Sequence, residues 1–231
     1  MFLMNLLMAC FHVYDARLTT GHVAVKEIVL VCETDDAASC KVIGAAAAGT
    51  ATRIFWDDHY YWLTAGHVCN LSAEKGITAA RAVTVTSGGD GAQAEISRLT
   101  YNLEKDLCIM PAKPGPARQI ASHEPDLGEP VTAIAYPGGA FSNNILPIYD
   151  GRFSGHSGDT CLTTIPVAGG SSGAGVLNDS GEVVGVVSAV MRSFNHYTIT
   201  VCLSELRQFL TKAGPQAQSA EAGVVQTAPK Q

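Results

Sequence analysis

The chain has 231 residues, 47% hydrophobic and 16% charged, a globular composition that excludes long disorder and coiled coil and suffices for one large domain or two small fused ones. Its net charge of −6, from 15 Lys+Arg against 21 Asp+Glu, supplies no cationic excess for phosphates, so nucleic acid is not an expected partner. With 23 Gly, 10 Pro and 7% aromatics, it suits many short strands and tight turns better than a helical bundle.

The first eleven residues, Met1 to Phe11, are apolar except Asn5, and the first basic residue is Arg17. This stretch is too short for a transmembrane helix, which takes about 20 residues, and lacks the basic start of a signal peptide. Packing arm and signal or anchor both stay open, so membrane association through Met1–Phe11 and localisation stay open too. We assign 1–22 to this segment.

Short apolar runs follow at Val23–Cys32, Thr52–Phe55, Tyr60–Thr64, Ala82–Thr86, Ala94–Tyr101 and Leu107–Pro111. Trp56-Asp57-Asp58-His59 and Ser87-Gly88-Gly89-Asp90-Gly91 separate them as turns, so 23–112 reads as hairpins. Ala112-Lys113-Pro114-Gly115-Pro116-Ala117 opens a linker, 113–125. A second set of strands is expected at Val131–Tyr136, Ile145–Tyr149, Thr160–Ile165, Gly175–Leu177, Glu182–Val190 and Tyr197–Val201, with Asn178-Asp179-Ser180-Gly181 as a hairpin turn. One helix is expected, Ser204–Lys212, with Ser204 as N-cap, Leu206, Phe209 and Leu210 on one face, and Gly214-Pro215 as its stop. It completes a second unit, 126–213, and 214–231 reads as a flexible tail.

Seven cysteines, Cys10, Cys32, Cys40, Cys69, Cys108, Cys161 and Cys202, are scattered without a C-x-x-C pair, so no metal site is expected. Cys108 and Cys202 lie in apolar runs and read as free core residues. Cys32 and Cys40 flank a polar bend and could close a short loop in an oxidising compartment.

Three patterns carry chemistry. In Trp62-Leu63-Thr64-Ala65-Gly66-His67-Val68, an apolar strand runs through small residues into a histidine, the placement a general base needs. In Asp106-Leu107-Cys108-Ile109-Met110, a carboxylate heads an apolar strand, where it can hold an imidazole N–H. In Gly169-Gly170-Ser171-Ser172-Gly173-Ala174-Gly175-Val176, glycines flank a serine and permit a bend that gathers N–H groups into one hole. Taken singly, His67 and Asp106 are also compatible with purely structural roles.

In that order on two β halves, Thr-Ala-Gly-His, Asp-Leu-x-Ile and Gly-x-Ser-Gly-Ala together resemble the chymotrypsin-like (trypsin-like) serine peptidases, over about Val23 to Leu210. The resemblance implies an all-β fold of two antiparallel six-stranded barrels with a C-terminal helix. It also implies a serine endopeptidase with His67 as general base and acid, Asp106 as its orienter and Ser172 as nucleophile. The backbone N–H groups of Gly170 and Ser172 would form the oxyanion hole. Ser172, unlike Ser171, has the two-residue spacing from Gly170 and a glycine directly after it. Ala174 stands where glycine is commoner in the family. The activating Ile-Val-Gly-Gly terminus and the disulfide bracketing the serine loop of digestive members have no counterpart, which implies the disulfide-poor bacterial, organellar or viral branch.

By the same resemblance, Ser188-Ala189-Val190 is the edge strand on which a peptide or protein substrate lies. Pro166, where an aspartate would confer Arg/Lys specificity, disfavours a basic side chain in the pocket. Val190 narrows that pocket towards small or medium apolar residues, while His196, with Asn195 and Tyr197 on a strand backing it, offers a hydrogen bond for Glu or Gln. Neither cofactor nor metal is implied. A self-cleaving chain that blocks its own groove with its tail, and a non-catalytic peptide-binding relative of the same fold, are the alternatives.

Overall fold

Two left-handed residues, Asp57 at φ 49° and Asp58 at φ 61°, close the tightest hairpin of the first half, the conformation that Asp tolerates and that matches strand twist. They join β2 (Cys40–Trp56) to β3 (His59–Thr64). The computed structural model describes residues 17–32, 40–70, 77–137, 147–191, 196–218 and 225–226. Met1–Phe11, Asn195, the bend between Cys32 and Cys40, the start of the Ile145–Tyr149 strand and most of the tail lie outside these residues.

The first half also contains β1 (Thr20–Cys32), the short helix α1 (Gly66–Cys69), β4 (Ile77–Ser87), β5 (Gln93–Ile96), β6 (Thr100–Asn102) and β7 (Leu107–Pro111). With β14 (Val225–Gln226) they form one sheet, ordered β14-β6-β7-β3-β2-β1-β4-β5. The second half contains β8 (Pro130–Ile134), β9 (Ile148–Ser157), β10 (Thr160–Thr163), β11 (Gly175–Leu177), β12 (Val183–Val190) and β13 (Thr198–Cys202), which close into a barrel, β10-β13-β12-β11-β8-β9. The double-barrel expectation holds, with a correction. Six strands close the second barrel, whereas among the described residues the first is a curled eight-stranded sheet with no pairing between β5 and β14.

β2 begins at Cys40, well before the expected Thr52, because Gly44 to Ala48 pair with β1 in unbroken register from Cys32↔Cys40 to Thr20↔Thr52. Alanine is a weak strand former, but an extended neighbour supplies the ladder bonds that propensity does not. β9 likewise runs on to Ser157 through pairs with β8 and β10.

Residues 112–129 are stitched to both halves. Arg118 exchanges backbone hydrogen bonds with Arg53 and Phe55 of β2, and Val183 of β12 does the same with Gln119 and Ala121. The helix α2 spans Leu203–Gln218. Leu206, Phe209 and Leu210 pack into a core shared by Ile54, Leu63 and Ile109 of the first half and Val183, Val186 and Val201 of the second. Each large side chain buried there contributes about 1.5–3 kcal/mol, so the helix seals the seam between the two sheets.

Three expectations about this end of the chain are corrected. The helix starts at Leu203, and Ser204 lies inside it; its N–H donates to Glu124 Oε1 at 2.9 Å, so the capping oxygen comes from 80 residues upstream. It also continues through Gly214-Pro215. Proline costs a helix interior about 3 kcal/mol, but Ala213, Gly214 and Ala217 are buried, and Tyr61 Oη donates to the Gly214 carbonyl at 3.3 Å. Tertiary burial outweighs the local signal. The flexible tail from 214 is therefore helical to 218, and Val225–Gln226 pairs in parallel with Thr100–Tyr101.

The cysteine reading is corrected too. Cys69 is bonded to Cys108, Cys161 to Cys202, and Cys40 is in a disulfide. The partners lie 39 and 41 residues apart, so only the fold reveals them: Cys69 ends the helical turn that follows β3 beside β7, and Cys161 faces Thr200, two residues from Cys202, across β10–β13. In the chain-entropy account each such loop closure is worth about 4 kcal/mol.

Candidate functional site: a His-Asp-Ser cluster between the two sheets

α1 is a single helical turn that follows directly from β3, and it carries His67 at the seam between the sheets, half-exposed. Gly66 is required there: a Cβ on it would lie 2.9 Å from Leu107 N and 3.1 Å from the Asp106 carbonyl carbon. Asp106 stands immediately before β7 in the left-handed region, φ 51°, which turns its carboxylate back onto α1. Oδ1 accepts from the His67 backbone N–H at 2.9 Å and meets His67 Nδ1 at 2.9 Å; Oδ2 lies 3.0 Å from Nδ1. The hydrogen bond with Asp106 and the charge of that carboxylate raise the His67 pKa, outweighing the burial that lowers it.

Asp106 has a further partner from the other half of the chain. Ser188 Oγ donates to Asp106 Oδ2 at 2.5 Å. The register of β12 against β13 shifts between Val187 and Ala189, so Ser188 sits in a bulge, the device that re-aims a side chain out of a ladder. Sequence reasoning placed Ser188 on the substrate edge and missed this bond, since nothing in Val187-Ser188-Ala189 signals a bulge. Behind the contact lies a cavity of about 180 Å³ lined by Lys105, Asp106, Asp159, Ser188 and Glu205. Lys105 Nζ bridges it to Asp159 at 2.8 Å and Glu205 at 2.7 Å; these two hydrogen bonds push the Lys105 pKa up.

Ser172 lies on the loop between β10 and β11. Its bend rests on Gly170 at φ 96° and Gly173 at φ 89°, values that side chains with a Cβ rarely adopt. Gly173 also has no room for one, since a Cβ would fall 2.1 Å from Thr64 Oγ1 and 2.2 Å from the Thr50 carbonyl. Ser172 Oγ donates to the Ser188 carbonyl at 3.3 Å, and no hydrogen bond joins it to His67. Ser188 thus touches both Asp106 and Ser172. Ser171 is fully buried with its hydroxyl unpaired, and Ala174 is fully buried.

The N–H groups of Gly170 and Ser172 donate to no protein acceptor among the described residues. The loop's carbonyls, by contrast, are held. Thr50 Oγ1 donates to Gly170 O at 3.0 Å, Thr50 N–H to Ser172 O at 2.9 Å, and Ala174 N–H to Ser171 O at 3.0 Å.

Of the residues expected to form the substrate pocket, Pro166, Ala189 and His196 are exposed, and Val190 is half-buried, packed against the second-barrel core. Asn195 lies outside the described residues. His196 is in a turn ahead of β13, which starts at Thr198, and not on a strand; the Met191 N–H donates to the Tyr197 carbonyl there. A cavity of about 630 Å³ lies elsewhere, in the first half between Arg53, Trp62 and Pro111 to Pro116.

Residues 49–186, more than half of the chain, match the trypsin-like peptidase domain. The chain belongs to that family. It is a serine endopeptidase acting on peptides or proteins. The trypsin-like peptidase is similar in structure to the active form of the Rv3671c protease of M. tuberculosis, at TM-score 0.61 and 19% identity, covering 92% of this chain and 87% of that one. It is similar to a serine endoprotease of Yersinia pestis at TM-score 0.60 and 21% identity, covering 86% of this chain and 65% of that one. The HtrA-type protease AlgW, solved with a tripeptide, matches at TM-score 0.60 and 19% identity, over 87% of this chain and 64% of that one. The chain thus spans slightly under two thirds of the last two. No curated protein matches it by sequence.

Proposed function

We propose that this trypsin-like peptidase cleaves peptide bonds through His67, Asp106 and Ser172 by way of an acyl-enzyme. The observation that carries the proposal is the contact chain His67–Asp106–Ser188–Ser172, which draws three residues from distant segments into one site. Asp106 fixes His67 with the Nδ1 proton facing the carboxylate and leaves Nε2 as the base. Rotation of Ser172 about χ1, away from the Ser188 carbonyl, brings Oγ to the imidazole as substrate arrives; such bonds are often loose before substrate binds. His67 then takes the Ser172 proton as Oγ attacks the scissile carbonyl and returns it to the leaving amine. Water deacylates the serine by the reverse sequence.

The N–H groups of Gly170 and Ser172 receive the oxyanion, a role supported by their lack of a protein acceptor among the described residues. The substrate main chain lies along Ser188 to Val190, the bulged end of β12. Its side chain enters a pocket for small or medium apolar residues, narrowed by Val190 and without an acidic group at Pro166; a Glu or Gln read by His196 is the competing preference. Profiling a mixed peptide library with wild type and Ser172→Ala, with cut sites mapped by mass spectrometry, tests all of this together. Cuts by the wild type alone, after small apolar residues, are expected. Equal cutting by both proteins overturns the nucleophile, and cuts after Glu or Gln overturn the pocket.

A further inference from the structure

Thr50 lies on β2, in the first half of the chain, yet its bonds run mostly to the second. It is fully buried. Its N–H donates to the Ser172 carbonyl at 2.9 Å. Its hydroxyl accepts from the Tyr136 N–H at 3.0 Å, just beyond β8, and donates to the Gly170 carbonyl at 3.0 Å. Its own carbonyl accepts from Thr64 Oγ1 at 2.7 Å. With a lone pair of Oγ1 committed to Tyr136, the single hydroxyl proton is directed at Gly170.

The strand reaches the loop closely enough for this because of glycines on either side. A Cβ on Gly49 would lie 2.8 Å from the Ser172 carbonyl oxygen, and one on Gly173 would lie 2.2 Å from the Thr50 carbonyl oxygen. Backbone therefore meets backbone, and the hydroxyls of Thr50 and Thr64 both lie beside the bend.

The bond to Gly170 has a specific consequence. A peptide unit is planar, so anchoring a carbonyl fixes the orientation of that unit. The Ser171–Ser172 unit is anchored by Ala174 N–H, and the Ser172–Gly173 unit by Thr50 N–H and by the Gly173 N–H bond to the Val187 carbonyl. The Gly170–Ser171 unit is held at two points, by the Ser171 N–H, which donates to the Ala168 carbonyl at 3.0 Å, and by the Gly170 carbonyl, which accepts from Thr50 Oγ1. The Gly170 N–H belongs to the preceding Gly169–Gly170 unit, which hinges on the Gly170 Cα, and Gly170 has no Cβ to restrict that hinge. Without the Thr50 bond the far side of the hinge keeps only the Ser171–Ala168 bond, so the Gly170 Cα shifts and its N–H loses its aim.

We propose that Thr50 is a positioning residue for the oxyanion hole, its hydroxyl setting the orientation of the Gly170 backbone from the opposite half of the enzyme. This rests on the reading of Ser172 as nucleophile and Gly170 N–H as an oxyanion donor. Thr50 touches neither substrate nor reacting atoms, so its removal costs transition-state stabilisation and leaves ground-state binding intact.

The test compares wild type, Thr50→Val, Thr50→Ala and Thr50→Ser on a peptide substrate that the wild type cleaves, with a matching peptidyl boronate as inhibitor. Thr50→Val is expected to lower kcat by about ten- to a hundredfold, below the hundred- to thousandfold of losing an oxyanion donor itself, with KM within about twofold of wild type. Boronate affinity should fall in proportion to kcat, and Thr50→Ser should restore most of both. If Thr50→Val does not fold, Thr50→Ala, which adds no methyl beside the Tyr136 N–H, gives the same readout. Wild-type kcat and boronate affinity in either variant overturns the inference. So does a loss that falls equally on kcat and KM, or that Thr50→Ser does not rescue, because that pattern is general loosening. Failure of the underlying reading looks different: the boronate then binds Ser172→Ala as tightly as wild type.

Discussion

Asp106 holds His67 by two of its groups at once, the backbone N–H and the imidazole Nδ1, both within 3.0 Å of the carboxylate. Backbone and ring are thereby fixed to one anion, so the imidazole cannot turn without leaving a carboxylate oxygen short of a partner. The disulfide between Cys69 and Cys108, two residues beyond His67 and Asp106 respectively, ties the same two segments covalently.

Replacing that anion changes both rate and titration. Asp106→Asn should lower kcat by about 10⁴. His67 has a pKa raised above its ordinary 6.5, so in wild type the acid limb of the kcat/KM profile should lie above that value, with activity rising as His67 loses its proton. In Asp106→Asn the limb should move down. The sign for stability is opposite: the His67 cation paired with Asp106 stabilises the fold below the unfolded pKa, and that contribution is lost as pH rises through the folded one. A pH–rate series and NMR titration of His67 Cε1 check both.

Ser188→Ala removes the hydroxyl that donates to Asp106 Oδ2. Hydrogen bonds to charged groups contribute about 1.5–3 kcal/mol, which bounds the expected loss at roughly ten- to a hundredfold in kcat. The substrate main-chain contacts proposed for the same residue would use its backbone, so KM should change little. Steady-state kinetics with the alanine and threonine variants separates the two effects.

Opening Cys69–Cys108 should destabilise the protein by up to about 4 kcal/mol in the loop-entropy account, and Cys161–Cys202 by a similar amount. Chemical denaturation of the double alanine variant of each pair measures this. Only the first pair should also lower kcat in folded protein, because only it joins the His67 and Asp106 segments.

Gly173→Ala places a methyl 2.1 Å from Thr64 Oγ1 at a φ of 89°. The loop must move off β2 and β3, so activity should be lost even where circular dichroism shows folded protein. The control is Gly158→Ala, at φ 59° in a turn with open space around it. It carries a similar backbone penalty and should retain activity.

The parts of the fold legible in the sequence are those written in short-range patterns. Continuous apolar runs such as Leu107–Pro111 gave their strands, the Asp57-Asp58 pair gave its hairpin, and Thr-Ala-Gly-His, Asp-Leu-x-Ile and Gly-x-Ser-Gly-Ala named the residues that meet at the seam. What was not legible depends on partners far along the chain. Pro215 reads as a stop until Tyr61 and the core beneath α2 are known. Cys108 and Cys202 read as plain core residues until the fold brings Cys69, on α1, and Cys161, on β10, beside them. The Ser188 bulge belongs to the register of β12 on β13 and the reach of Thr50 to Gly170 to the packing of one half on the other, and neither leaves a local trace.

The central claim is that Ser172 is the nucleophile, activated by His67. Treating folded wild type, Ser172→Ala and His67→Ala with a fluorophosphonate and locating the adduct by peptide mass spectrometry tests it most directly. The account predicts one adduct per chain, on Ser172, absent from Ser172→Ala and formed far more slowly in His67→Ala. An adduct on another serine, or labelling of Ser172 at the same rate without His67, would contradict it.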